Sequence, residues 1–205
     1  MEALKTGTTT VGIVAKDAVI IAADRRGTAG GYVFERNITK VHLINDRLAV
    51  TIAGVVSDIQ LLLKYIRAEI KIKELKTGLP TTVKEAANLI AGFNYSGLRM
   101  QGSVAQFLLA GRDGSGTHLY QITFDGVVRD VDDYDVTGSG SILAMGVLDS
   151  QYKPGMSEAQ AIELMKQVLK VALGRDTASG NGYDIFVVDA KGITHKEAVR
   201  LKLTE

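Results

Sequence analysis

The sequence predicts an α+β domain. Strand-like runs come in blocks, two stretches of helical period lie side by side mid-chain, and a third precedes a closing hairpin. The regular strand–helix alternation of a doubly wound parallel sheet is absent.

The elements follow in order. Residues 9–15 and 18–23 are β-rich runs separated by Lys16-Asp17, the two-residue spacing of a tight hairpin. A second pair, 41–44 and 47–53, surrounds Asn45-Asp46. The period then changes. Ile59, Leu62, Leu63, Ile66 and Ile70 recur at helical spacing among Lys64, Arg67, Lys71 and Glu74. Ser57 can cap this helix, and Gly78 with Pro80 ends it. Thr82 with Glu85 forms a capping box that opens a second helix, whose buried face is Ala86, Leu89, Ile90 and Phe93 and which residues 97–102 close. Strands return at 104–110, 117–123 and 127–131, joined by Asp113-Gly114 and Asp125-Gly126 turns. Ser157 with Gln160 caps a third helix that places Ile162, Met165, Val168, Leu169 and Ala172 on one side and ends at Gly174. Residues 183–189 and 193–195 form a last hairpin around Lys191-Gly192. No linker, repeat or low-complexity segment interrupts the 205 residues, so one domain is expected.

Composition narrows the function. Hydrophobic residues are 46% and charged residues 23%, as in ordinary globular proteins. A net charge of +1 gives no reason to expect a nucleic-acid or acidic-membrane partner. With Cys at 0, disulfides, thiol nucleophiles and cysteine-ligated zinc are excluded. His42, His118 and His195 are too scattered for a metal motif. The uncharged run 136–148 is shorter than a membrane span needs, and the N-terminus lacks the apolar core of a secretory signal. A cytoplasmic protein is expected. Of several glycine clusters, Gly138-Ser139-Gly140-Ser141 comes nearest to a phosphate loop, but it lacks the lysine of a P-loop.

A nucleophile must therefore be Ser, Thr or Lys. Gly7-Thr8-Thr9-Thr10 stands immediately before the first strand. Cleavage after Gly7 would give Thr8 both a hydroxyl and a free α-amine, whose pKa of about 7.7–8.0 leaves a useful neutral fraction near pH 7. Taken alone, three threonines at a strand start more often reflect plain β-propensity.

Matches along the chain add to this. GTTTVGIVAKDAVIIAADRR (7–26), the Lys40 region, TIAG (51–54), the block from TGSGS to GVLDSQY (137–152) and GRDTASG (174–180) occur in one register. In these segments the chain resembles the β subunits of the 20S proteasome, most closely the archaeal type. The resemblance implies the αββα sandwich of the N-terminal-nucleophile hydrolases, two antiparallel sheets face to face with helices outside. It implies a propeptide of residues 1–7, removed autocatalytically between Gly7 and Thr8, and a single domain from 8 to 205.

It also implies roles. Thr8 matches the nucleophile, Lys40 the active-site lysine and Asp24 its acidic partner, although Arg25 or Arg26 could pair with Asp24 instead. Ser139, Asp176 and Ser179 match residues around the terminal amine, and Gly54 the backbone N–H that faces the oxyanion. Thr28 matches a contact to the substrate main chain. Gly27, Ile38, Ile52 and Val56 match the pocket for the side chain before the cut, with His42 near the same wall. A mainly apolar pocket implies cleavage after hydrophobic residues. Implied partners are proteasome α subunits, further β subunits in stacked rings, a regulatory ATPase acting through the α rings, and unfolded polypeptide substrates. No cofactor is implied. The main alternative is a non-catalytic structural β subunit of the same ring. A bacterial two-component relative and a glycine-loop nucleotide binder are further alternatives.

Overall fold

A computed structural model describes residues 7–54, 56–99 and 105–200, without the side chains of 56–58. The chain begins with β1 (Thr9–Val14) and β2 (Ala18–Asp24), an antiparallel hairpin closed by the Ala15 N–H donating to the Ala18 carbonyl at 2.8 Å. Every residue of β2 is buried. Its odd positions Val19, Ile21 and Ala23 enter one apolar cluster and its even positions Ala18, Ile20 and Ala22 another. A strand covered on both faces needs no polar alternation, which is why AVIIAA reads as a continuous apolar run.

A small hairpin follows, β3 (Gly27–Ala29) and β4 (Tyr32–Glu35). Next come β5 (Val41–Leu43), β6 (Leu48–Gly54) and two helices, α1 (Val56–Thr77) and α2 (Val83–Arg99). The α2 capping box is present: Thr82 N–H donates to Glu85 Oε2 at 2.8 Å and Glu85 N–H to Thr82 Oγ1 at 3.2 Å. The side chain of Ser57, the expected α1 cap, lies outside the described residues. Leu89 and Phe93 are only partly buried, and α2 continues through Gly97 to Arg99. Three strands follow, β7 (Ala105–Asp113), β8 (Gly116–Ile122) and β9 (Val128–Asp130).

The elements with no expectation from sequence are β3, β4, β10 (Tyr134–Gly138) and α3 (Ser141–Gln151). The N-cap position of α3 is Gly140, which offers no side-chain cap, and Ile142 is 85% exposed, so capping and periodicity both fail to mark the helix. After it, α4 (Glu158–Arg175) starts from the expected Ser157–Gln160 capping box, and β11 (Gly182–Asp189) and β12 (Gly192–Arg200) close the chain.

The strands make two antiparallel five-stranded sheets, ordered β10-β1-β2-β11-β12 and β5-β6-β7-β8-β9. Three apolar clusters give the layering. Val19, Ile21, Leu108, Ala110, Leu119 and Val188 fill the space between the sheets. Ile20, Ile185, Val187, Met165, Val168 and Leu169 join the first sheet to α4. Val50, Phe107, Leu109, Ile66, Ala87 and Ile90 join the second sheet to α1 and α2. The order is helix, sheet, sheet, helix, as expected from the family resemblance. Phe107 is fully buried in the last cluster. Phe107→Ala should cost about 3–5 kcal/mol, read as a lowered urea midpoint with an unchanged m-value.

Candidate active site

The site forms where the start of β1 meets the ends of β2 and α4. Thr8, 5% exposed, directly precedes β1, and its hydroxyl donates to the Gly7 carbonyl at 2.6 Å. Lys40 precedes β5 and its Nζ reaches Thr8 Oγ1 at 3.0 Å, Asp24 Oδ1 at 2.7 Å and the Gly7 carbonyl at 3.3 Å. Asp24, fully buried at the end of β2, also accepts the Thr9 N–H at 3.0 Å on Oδ1, and those of Arg26 at 2.9 Å and Gly180 at 3.0 Å on Oδ2. Neither arginine side chain takes the place of Lys40. Arg25 turns to Asp184, and Arg26 to Asn181 Oδ1 at 2.8 Å and the Thr177 carbonyl at 2.8 Å. Burial is the strongest influence on Lys40 and pushes its pKa below the ordinary lysine value, while the Asp24 carboxylate, and more weakly Asp176, oppose that shift.

A hydroxyl chain occupies the other side of Thr8. The Thr8 N–H donates to Ser139 Oγ at 3.1 Å, and Ser139 Oγ donates to Asp176 Oδ2 at 2.6 Å. Ser179 Oγ donates to the same carboxylate oxygen at 2.6 Å and lies 2.8 Å from Thr9 Oγ1. Each hydroxyl has one proton, so with Ser179 donating to Asp176, Thr9 must donate to Ser179. Asp176 caps the C-terminus of α4, and its Oδ1 accepts the Ala178 N–H at 3.1 Å, which tightens the turn.

Two glycines permit this closeness. Gly138, at φ +92°, ends β10 so near Thr8 that a Cβ there would run into the Thr8 carbonyl. A Cβ on Gly7 would overlap the Ala178 side chain. Thr28 on β3 accepts the Gly7 N–H at 2.9 Å and donates to the Ala178 carbonyl at 3.4 Å, so its hydroxyl grips the main chain just before Thr8.

Beside Thr8 and Lys40 opens a cavity of about 320 Å³, lined by Ile38, Thr39, His42, Ile52, Gly54, Ile59 and Gln60. Ile38, Ile52 and Gly54 thus lie together on this lining. Gly27 and Thr28 are not on this lining, though a Cβ on Gly27 would strike the Ile38 side chain that is. The Val56 side chain lies outside the described residues. Sequence reading missed Thr9 as a member of the hydroxyl chain and the Arg26 strap across the 177–181 loop. Nothing in one sequence marks such contacts between distant segments. Among the described residues no group of His, Asp or Glu is arranged to hold a metal ion, and no helix is long and apolar enough to cross a membrane.

An αββα sandwich with a hydroxy amino acid at the head of a central strand is the architecture of the N-terminal-nucleophile hydrolases. A family model described as "Proteasome subunit" matches residues 4–188. The chain is 39% identical to "Proteasome subunit beta" of Methanocorpusculum labreanum over 185 residues, covering 90% of this chain and 87% of that one. It is 40% identical to "Proteasome subunit beta 2" of Ignicoccus hospitalis over 188 residues, 92% and 87% of the two chains. With "Proteasome subunit beta" of Haloferax volcanii it shares 38% over 189 residues, 92% and 76%. The chain belongs to the proteasome subunit family, as an archaeal-type β subunit of the core particle. Members of that family serve protein degradation and assemble with other proteasome subunits in rings.

His42 lies half-buried in the cavity wall, and burial, aided by the Arg67 guanidinium, lowers its pKa. The folded chain therefore favours the neutral ring. Just below about pH 6.5 the unfolded chain binds more protons than the folded one, so stability is lost as pH falls through that window. Urea midpoints across about pH 4.5–7.5, a range that brackets the ordinary imidazole pKa of about 6.5, should show a shallower acid-side loss for His42→Gln than for the parent chain.

Proposed function

We propose that this chain is a catalytic β subunit, a threonine-type endopeptidase whose nucleophile is Thr8. The observation that carries the reading is the contact set of one hydroxyl: Thr8 Oγ1 lies 3.0 Å from a buried lysine that Asp24 orients, and 2.6 Å from the carbonyl oxygen of the residue before it. A structural subunit has no need of a desolvated lysine against a hydroxyl.

The first reaction is self-cleavage. Thr8 Oγ attacks the Gly7 carbonyl carbon, the Gly7–Thr8 C–N bond breaks, and the hydroxyl proton ends on the Thr8 nitrogen. The resulting ester is hydrolysed by water, which releases residues 1–7 and leaves Thr8 with a free amine. Residues 8–205 are then the mature domain. In turnover the same oxygen attacks a substrate carbonyl, and the proton passes through the Thr8 amine to the leaving amine. Water then hydrolyses the acyl-enzyme. Lys40 lowers the cost of charge on Oγ, and the Gly54 N–H receives the oxyanion. Ser139, Asp176 and Ser179 hold the amine. Thr28 binds the substrate main chain as it binds Gly7.

Ile38, Ile52 and Ile59 give the cavity an apolar wall, which supports cleavage after hydrophobic residues. Substrates are unfolded polypeptides that enter a chamber closed by α subunits, fed by a regulatory ATPase in the cytoplasm. No cofactor takes part.

Intact mass after assembly with α subunits tests the reading. The chain should lose residues 1–7, and Thr8→Ala should retain them; full-length chain in well-formed rings would overturn it. Lys40→Ala should cut peptide hydrolysis by about 10²–10⁴-fold with rings intact. The fold should survive, since Asp24 keeps three backbone N–H donors. Peptides with acidic or basic residues before the cut should be hydrolysed more slowly than those with leucine or phenylalanine.

A further inference from the structure

Arg25 is a buried guanidinium, 6% exposed, that the proposed reaction does not use. A guanidinium cannot shed its proton, so its burial costs several kcal/mol unless it is paired and hydrogen-bonded. Its Nη1 meets both carboxylate oxygens of Asp184 on β11, and Nε donates to Asn37 Oδ1 at 2.9 Å. Asp184, 3% exposed, also meets Nε2 of the half-exposed His195 at 3.1 Å.

The main chain of Arg25 is equally engaged. Its N–H is shared between the carbonyls of Gly180 at 3.3 Å and Gly182 at 3.1 Å, and its carbonyl accepts the Ile38 N–H at 2.9 Å. One residue therefore joins the segment that follows Ser179 to the segment that leads through Ile38 to Lys40, and it does so directly after Asp24. Stability is a poor reason to keep such a pair, because well-packed apolar replacements of buried ion pairs are often neutral or stabilising. Geometry is a better one: misplacing reacting groups by about 1 Å costs on the order of 10²-fold in rate.

We propose that Arg25, anchored by Asp184, is a positioning residue that sets the spacing of Asp24, Lys40 and Ser179 around Thr8 without touching substrate. This rests on the threonine-peptidase reading above. Two variants test it in particles assembled with α subunits. Arg25→Met with Asp184→Leu removes both charges together and leaves neither orphaned. Asn37→Ala removes only the partner of Nε, at an exposed position.

The double variant should assemble and lower kcat at least about 10-fold, with KM changed less than about 3-fold and the acidic limb of the kcat–pH profile displaced. Asn37→Ala should lower kcat by about 2–5-fold in the same sense. An assembled double variant with unchanged kcat and pH profile overturns the proposal and leaves the pair purely structural. If the double variant does not assemble, unchanged kcat in Asn37→Ala overturns it. An inactive parent particle instead removes the peptidase reading, and this inference with it.

Discussion

Everything near Thr8 is arranged around one desolvated carboxylate. Asp24 is wholly removed from water at the end of a strand buried on both faces. Left alone, such a group would cost several kcal/mol or take up a proton. It is instead met by four donors: the Lys40 ammonium and the N–H groups of Thr9, Arg26 and Gly180. Those donors come from the start of β1, the turn after β2, the segment before β5 and the loop before β11. Satisfying one acid therefore brings four distant parts of the chain to a common point.

The sandwich supplies what the acid cannot, a rigid floor. β1 and β2 lie within a sheet covered by α3 and α4 on one face and by the second sheet on the other. A residue just ahead of β1 thus stands at the rim of a packed interior, not on a loose tail. Lys40 crosses from the second sheet's side to meet it, and the cavity opens between Thr8 and the end of β6. The lysine is buried because it reaches inward to Asp24, and that burial lowers its pKa. The same carboxylate that draws the lysine inward opposes the shift that burial imposes on it.

How much of this could be read from sequence depended on range. The β1–β2 and β11–β12 hairpins, the capping boxes at Thr82 and Ser157 and the buried stripe of α4 are local patterns, and they were legible. The α3 helix was not, since it has no side-chain cap and buries only Ala144 and Leu148. β3 and β4 are short and mostly exposed, with little periodicity to detect. In the site, the Gly7–Thr8 step suggested a nucleophile by its chemistry, but the matching of Asp24, Lys40, Ser139, Asp176 and Ser179 came from family resemblance. Thr9 had no signal at all, because its partner is 170 residues away. Gly27 matched a pocket position by resemblance, and a Cβ there would strike Ile38, which lines the cavity.

The hydroxyl chain has a direction, and on the proposed reading that direction explains why unmasking matters. While Thr8 N is an amide it can only donate, and it donates to Ser139. The Ser139 hydroxyl donates most closely to Asp176 Oδ2 at 2.6 Å, with the Thr8 carbonyl as a second acceptor at 3.3 Å, and Ser179 donates to the same Asp176 oxygen. Asp176 Oδ2 thus accepts from two hydroxyls, and the Thr8 hydroxyl itself donates to the Gly7 carbonyl. On that reading, release of the amine turns the Thr8 nitrogen from an obligate donor into a donor with a lone pair. Ser139 continues to accept from it, which orients the nitrogen while leaving its lone pair for the Thr8 hydroxyl. On the proposed reading, activation is the loss of the acyl group from a nitrogen that Ser139 already holds.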